Sequence, residues 1–242
     1  MAGEFEYVDR MDEILKEVVE VNKDNLKIAA EKFAEVIMND GIIHTFGTGH
    51  SHMIGVELFA RAGGLGNTSA MLDPDVLTSN GTNRSGAMER LPGVADVIYD
   101  NYKIEKGDIM LIVSNSGRNS VPVEMAMRCR KEGIYTICIT SLRQSEGMTS
   151  RHPSGKKLYE LCDLVLDNCT PYGDGCLNID GYVTGAVSTI AGCYLANIIS
   201  SEAIKICTSK GFRPYIYQSQ NVDGADNTAI NAYYRDRIKH LY

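Results

Sequence analysis

Apolar residues Val8, Met11, Leu15 and Val18, then Leu26, Ala29, Phe33 and Val36, recur at steps of three and four. That spacing predicts one long amphipathic helix over residues 1–40, with Asn22 interrupting its stripe and Gly41 ending it. The run Ile42-Ile43-His44-Thr45-Phe46 is short and β-branched, and Gly47-Thr48-Gly49 follows it, so a buried strand leading into a tight turn is expected. A helix should start at Ser51, carry Met53, Ile54, Leu58 and Phe59, and stop at Gly63-Gly64. A weak strand from Thr68 to Leu72 precedes a polar stretch, Asp73 to Gly86, that is too long for an ordinary connection. Ile109-Met110-Leu111-Ile112-Val113 is the clearest buried strand, and it runs straight into Ser114-Asn115-Ser116-Gly117. Ser120 and Pro122 open the next helix and Gly133 closes it, with Val123, Met127 and the stem of Arg130 as the expected inner side. Thr136 to Thr140 and Leu164 to Leu166 read as two further strands. Strands that alternate with helices need crossover connections, so the sheet should be parallel and covered on both faces. Residues 183–210 and 228–242 read as helices that pack outside it or between subunits.

Composition narrows the class. The 242 residues are 44% hydrophobic and 23% charged, a globular profile that excludes collagen, coiled-coil and disordered chains. No linker or repeat interrupts them, so one domain over 1–242 is expected: an N-terminal helix (1–40) as an oligomer contact, a core (42–168) and C-terminal helices (180–242). A net charge of −7 argues against a nucleic-acid partner, which needs clustered excess Lys and Arg, but leaves room for a small anion. The 7 cysteines are scattered rather than arranged as a disulfide framework, which suits a reducing compartment. Met1-Ala2-Gly3-Glu4-Phe5-Glu6 has neither the basic nor the apolar region of a signal peptide, so a cytoplasmic location is expected. Gly181 to Ser201 is uncharged and long enough to span a bilayer, yet Thr184, Ser188, Thr189, Gly192, Asn197 and Ser200 break it, which fits a buried interface helix and no membrane association.

Chemistry concentrates in two loops at the carboxyl ends of strands, where open parallel sheets bind ligands. In Gly47-Thr48-Gly49-His50-Ser51 the glycines let backbone N–H groups approach an anion, and Ser51 adds a hydroxyl at a helix start. Ser114-Asn115-Ser116-Gly117 repeats the arrangement, with Asn119 and Ser120 as further donors. Neither loop is a P-loop or a dinucleotide fingerprint, and each alone also reads as simple helix capping. Together they can hold one phosphate.

These residues carry a resemblance to the sugar isomerase, or SIS, domain of phosphosugar isomerases and phosphosugar-binding proteins. The family's Ser-x-Ser-Gly loop corresponds to Ser114-Asn115-Ser116-Gly117 and its Gly-x-Gly-x-Ser loop to Gly47-Thr48-Gly49-His50-Ser51, within a match from about His44 to Asp167. Phe46 to Met53, Glu57 to Gly64, Ser116 to Pro122 and Ser150-Arg151-His152-Pro153-Ser154-Gly155-Lys156 resemble a bacterial branch of single-SIS-domain proteins. The resemblance implies a flavodoxin-like three-layer αβα sandwich with a five-stranded parallel sheet and extra N- and C-terminal helices. It also implies a homodimer or homotetramer with sites near subunit contacts, and serines that bind a sugar phosphate: Ser51, Ser114, Ser116 and Ser120, with Thr48, Gly49, Asn115 and Asn119 beside them. One departure is Asn119, where many members have Ser or Thr, so its amide or the Ser120 hydroxyl must supply that donor.

Aldose to ketose conversion through an enediol needs a base within reach of the carbon acid. Glu57, on the helix that begins at the first loop, is the expected base, although pairing with Arg61 at i+4 is its plain alternative. Glu89 and Arg90 are a second choice, with a surface ion pair as their plain reading. His50 and His152 are candidate acids; Arg151 and Lys156 would attract the phosphosugar, and His44 reads as a core or interface histidine. Some heptose isomerases of the family use a metal, and His44, His50 and His52 are the candidates here, but the His50-x-His52 pair on its loop has no nearby third ligand of fixed spacing, so no metal and no cofactor is expected. The function expected is thus a phosphosugar isomerase. The alternatives are a lyase or etherase on an N-acetylamino sugar phosphate and a non-catalytic phosphosugar sensor; the sensor reading lacks the fused DNA-binding domain it usually brings.

Overall fold

The structure is a computed structural model that describes residues 4–241; the readings made on Met1–Gly3 and on Tyr242 lie outside the described residues. The first helix, α1 (Glu6–Met38), buries Met11, Ile14, Val18, Leu26, Ala29 and Phe33. The expected stripe is thus buried at Met11, Val18, Leu26, Ala29, Phe33 and Val36 and departs from expectation only near its start, where Val8 is exposed, Leu15 is half-buried and Ile14 takes the inner place. Asn22 continues the stripe instead of interrupting it. Its Nδ2 donates to the carbonyls of Val18 and Asp167, both at 2.7 Å, and its Oδ1 accepts the Asp167 N–H at 2.8 Å. A buried amide is tolerated here because each of its polar atoms has a partner.

Next in the chain come β1 (Ile43–Gly47), α2 (His52–Leu58), β2 (Thr68–Ala70), α3 (Thr82–Met88), α4 (Val94–Asp100), β3 (Ile109–Val113), α5 (Ser120–Glu132), β4 (Tyr135–Thr140), α6 (Leu142–Glu146) and β5 (Leu164–Asp167). The five strands form one parallel sheet in the order β2-β1-β3-β4-β5. Alternate residues enter two separate cores, as a period of two requires. Ile43, Ile109, Leu111, Val113, Ile137, Ile139 and Leu166 meet α1 and a later helix, α7 (Ser188–Ser209), on one face; Phe46, Met110, Ile112 and Cys138 meet α4 and α5 on the other. The expected three-layer sandwich is present.

Several expectations need correction. Helix α2 ends at Leu58, not at Gly63: Phe59 is extended and Ala60 is left-handed at φ 48°. Phe59 leaves the helix to pack on a third cluster of Ile42, Tyr217, Ile230, Tyr234 and Ile238, and Gly63 and Gly66 donate to the carbonyls of Tyr217 and Tyr215. The polar stretch after β2 holds the start of α3. On α5 the inner side is Val121, Val123, Met125 and Cys129, whereas Arg130 is exposed and Met127 half-buried. The segment expected to be helical from Val183 instead begins with a hairpin, β6 (Gly175–Ile179) paired antiparallel with β7 (Tyr182–Ala186).

Helix α7 (Ser188–Ser209) follows the hairpin, and α8 (Thr228–Tyr234) is the last helix among the described residues. By length and composition α7 could cross a membrane, but Ala191, Leu195, Ile199 and Ala203 are fully buried against the rest of the chain. Gly192 sets how close it comes to α2: a Cβ there would lie 2.8 Å from Ile54 Cγ1.

Candidate functional site

The register of the sheet decides where the two loops emerge. Gly47 of β1 pairs with Val113 of β3, so Thr48 and Ser114 leave the sheet side by side at its carboxyl edge. Loop one continues as a short 3₁₀ turn, Gly49–Ser51, before α2; loop two turns at Gly117, φ 58°, and enters α5. Neither α2 nor α5 has a side-chain cap on its first turn, so the positive end of each dipole lies beside the loops, although on α5 Pro122 has no N–H and the Val121 N–H is committed to Glu89.

Glu89, just past α3, joins the loops. Its Oε2 accepts the Thr48 hydroxyl at 2.8 Å and its Oε1 accepts the Asn119 amide at 2.7 Å. Asn119 Oδ1 in turn accepts Arg151 Nη1 at 3.1 Å. The next residue, Ser120, is fully buried and donates to the Arg90 carbonyl at 2.9 Å, while Val121 N–H donates to the Glu89 carbonyl at 3.1 Å. A third loop, 150–156, lies on the second: Arg151 N–H donates to the Arg118 carbonyl at 2.8 Å.

The donors inferred from sequence therefore divide into two groups. Thr48, Asn119 and Ser120 are occupied in holding the crevice together. Asn115 is also committed, donating to Gln144 Oε1 at 2.8 Å and accepting from Asn168 at 2.9 Å. Ser51 and Ser116 are half-buried, and their hydroxyls have no partner among the described residues. Ser114 Oγ accepts the Gly117 N–H at 3.2 Å and keeps its own proton to give. Gly49, at φ 56°, has nothing within 4 Å of where a Cβ would sit, so it is open toward solvent.

The catalytic candidates scatter. Glu57 pairs with Arg61 and accepts from Asn197 of α7 at 2.8 Å. It lines a cleft of about 160 Å³ with Thr68, Ser200 and Ser201, and no residue of either loop belongs to that cleft. His50 is exposed. His152 Nδ1 lies 2.7 Å from the Ser154 hydroxyl and 3.2 Å from the Ser154 N–H, while its Nε2 is 3.4 Å from Glu124. His44 is fully buried, with Nε2 3.2 Å from Asp108. Among the described residues no three metal-binding side chains cluster. The role of Glu89 in uniting the loops is the feature that sequence reasoning missed, since its partners lie 41 and 30 residues away along the chain.

A parallel β2-β1-β3-β4-β5 sheet covered by helices on both faces, with two glycine- and serine-bearing loops at its carboxyl edge, defines a three-layer α/β domain, and a family model agrees with that class. Residues 6–141 match the SIS domain, and the chain belongs to that family. Among curated relatives, it is 40% identical over 239 residues to a UPF0309 protein of Halalkalibacterium halodurans, covering 98% of this chain and 96% of that one. Among solved structures, a phosphoheptose isomerase from Francisella tularensis superposes at TM-score 0.50 with 15% identity, covering 81% of this chain and 95% of that one. The Vibrio vulnificus NanR protein complexed with ManNAc-6P superposes at TM-score 0.50 with 14% identity, over 85% of this chain and 63% of that one. At such identities the structural matches speak for the fold.

Proposed function

We propose that this protein, acting as a homodimer or homotetramer, binds a sugar phosphate in the crevice between the two loops and interconverts its aldose and ketose forms through an enediol. The observation that carries the reading is the set of unspent hydroxyls on Ser51, Ser114 and Ser116 beside the positive ends of two helix dipoles, with Glu89 linking the two loops. The Francisella phosphoheptose isomerase and the NanR complex with ManNAc-6P, both of this fold, agree with a phosphosugar ligand.

Two carboxylates compete for the base. Glu57 meets a sugar held at the loops only if another subunit brings one to its cleft, whereas Glu89 already sits between the loops. The geometry favours Glu89, its carboxylate oriented by Thr48 and Asn119, with His152 or His50 as acid. A thermal-shift screen of sugar phosphates against their unphosphorylated parents identifies the ligand, because a compound that binds only the folded state raises stability. Ser114→Ala with Ser116→Ala should remove that rise without unfolding the protein, and an unchanged rise would end the reading. NMR of the bound sugar in D₂O then tests the chemistry. Glu89→Gln should keep binding and slow α-carbon exchange at least about 100-fold, while Glu57→Gln should leave it. The converse pattern returns the role to Glu57. Binding without exchange in the wild type identifies a sensor, and loss of a substituent identifies a lyase or etherase.

A further inference from the structure

Three guanidinium groups crowd the mouth of this crevice: Arg90 from the end of the Glu89 segment, Arg118 from loop two and Arg151 from the third loop. Partial loss of hydration, with Arg118 and Arg90 close by, holds the Arg151 guanidinium below its ordinary value, and Glu89 is the carboxylate that opposes them. None of the three is ion-paired among the described residues, and Arg118 Nε is buried with no partner at all. Arg90 and Arg151 satisfy only neutral acceptors, the Gly86 carbonyl and the Asn119 amide oxygen. Like charges held this close repel, and a buried guanidinium N–H without an acceptor is costly. Such an arrangement persists where an anion completes it.

The phosphate does not need these side chains. Its donors are the serine hydroxyls described above, and the positive ends of the two helix dipoles add to them. Arg151 belongs to the third loop, whose backbone bonds to that of Arg118, and a planar guanidinium fork matches a carboxylate or a second phosphate. We propose that Arg118 and Arg151, with Arg90 beside them, form a second anion subsite, and that the substrate is a phosphosugar carrying another negatively charged group. This rests on the phosphosugar reading and specifies its substrate class.

Two matched pairs of probes test it by calorimetry at constant ionic strength: glucose 6-phosphate against 6-phosphogluconate, and fructose 6-phosphate against fructose 1,6-bisphosphate. The wild type should bind the doubly anionic member of at least one pair about tenfold or more tightly, the range of a charge-assisted hydrogen bond. Arg118→Gln should erase that preference while leaving affinity for the monophosphate within about threefold, Arg151→Gln should erase it too but also weaken the monophosphate through the lost bond to Asn119, and Lys205→Gln on α7 should change neither. Both variants keep the backbone bond between the two loops, and a thermal melt confirms their fold. Equal loss for both members of a pair would show that the arginines grip the phosphate itself, and equal wild-type affinity within both pairs would also overturn the proposal. Failure of the phosphosugar reading looks different: the wild type then binds none of the four probes.

Discussion

Single residues at the crevice carry more than their size suggests. Gly117 holds a left-handed φ of 58°, and a Cβ there would meet Ser145 Oγ and Thr140 Oγ1 at 3.2 Å and Leu158 Cβ at 3.3 Å. Gly117→Ala should therefore cost about 1–3 kcal/mol in urea unfolding, from left-handed strain and the tight contacts together. It should also abolish any phosphosugar-dependent thermal shift, because the turn that aims Ser114 and Ser116 must move. Asn22 is a second such position, far from the ligand. Asn22→Ala leaves the Asp167 N–H buried without an acceptor, so a loss of about 2–3 kcal/mol is expected, read from the urea midpoint at constant m-value. The sequence presents Asn22 as a flaw in an apolar stripe; only β5 folded beneath α1 shows what it binds.

At the level of elements, strands β1 and β3 begin together at Asp108, whose carboxylate accepts the N–H groups of Ile42 at 2.7 Å and Glu105 at 2.8 Å and faces His44 Nε2. Burial pushes the Asp108 carboxyl up, but hydrogen bonds from His44 and from those two N–H groups outweigh it and hold it below the ordinary value. A depressed pKa contributes stability that is present above the unfolded value, near about 3.9, and is lost as pH falls through the folded value. Urea midpoints should therefore drop as pH falls below about 4, and Asp108→Asn should flatten that dependence. At pH 7 the same variant should lose about 2–3 kcal/mol, since an amide NH₂ would face a backbone donor. The elements that sequence reveals best are β1, β3 and β4, continuous apolar runs buried on both faces. The end of α2 was hidden because Phe59 is drawn off by Tyr217 and Ile230, more than 150 positions onward, and no local signal announces this. The hairpin was hidden because its strands are largely exposed, which leaves no alternation of apolar and polar residues to read.

Across the whole molecule, stability is unevenly distributed. Residues Ile109–Val113 of the central strand are fully or nearly fully buried, whereas Tyr182 and Val183 at the hairpin turn are 77% and 64% exposed. Hydrogen exchange should accordingly show amides of β3 protected to the level of global unfolding and those of β6 and β7 exchanging through local opening, orders of magnitude sooner. Equal protection of the two would mean that the hairpin is covered in solution by another copy of the chain. The candidate site belongs to the slow, central part of the molecule, since both loops grow from β1 and β3. The composition of those loops is legible in sequence, but their joining is not, because it depends on side chains brought together from three separate crossovers.

That joining has a consequence for synthesis. Thr48 reaches Glu89 across 41 residues, Glu89 reaches Asn119 across 30, and Arg151 reaches back 32 to Asn119. A nascent chain leaving the ribosome thus exposes each loop in turn but completes their brace only after residue 151 has emerged. Truncated chains would offer hydroxyls without a frame to aim them. If the crevice holds a small anion as proposed above, its occupancy would stabilise only chains in which residue 151 has joined the brace and would leave shorter ones unaffected.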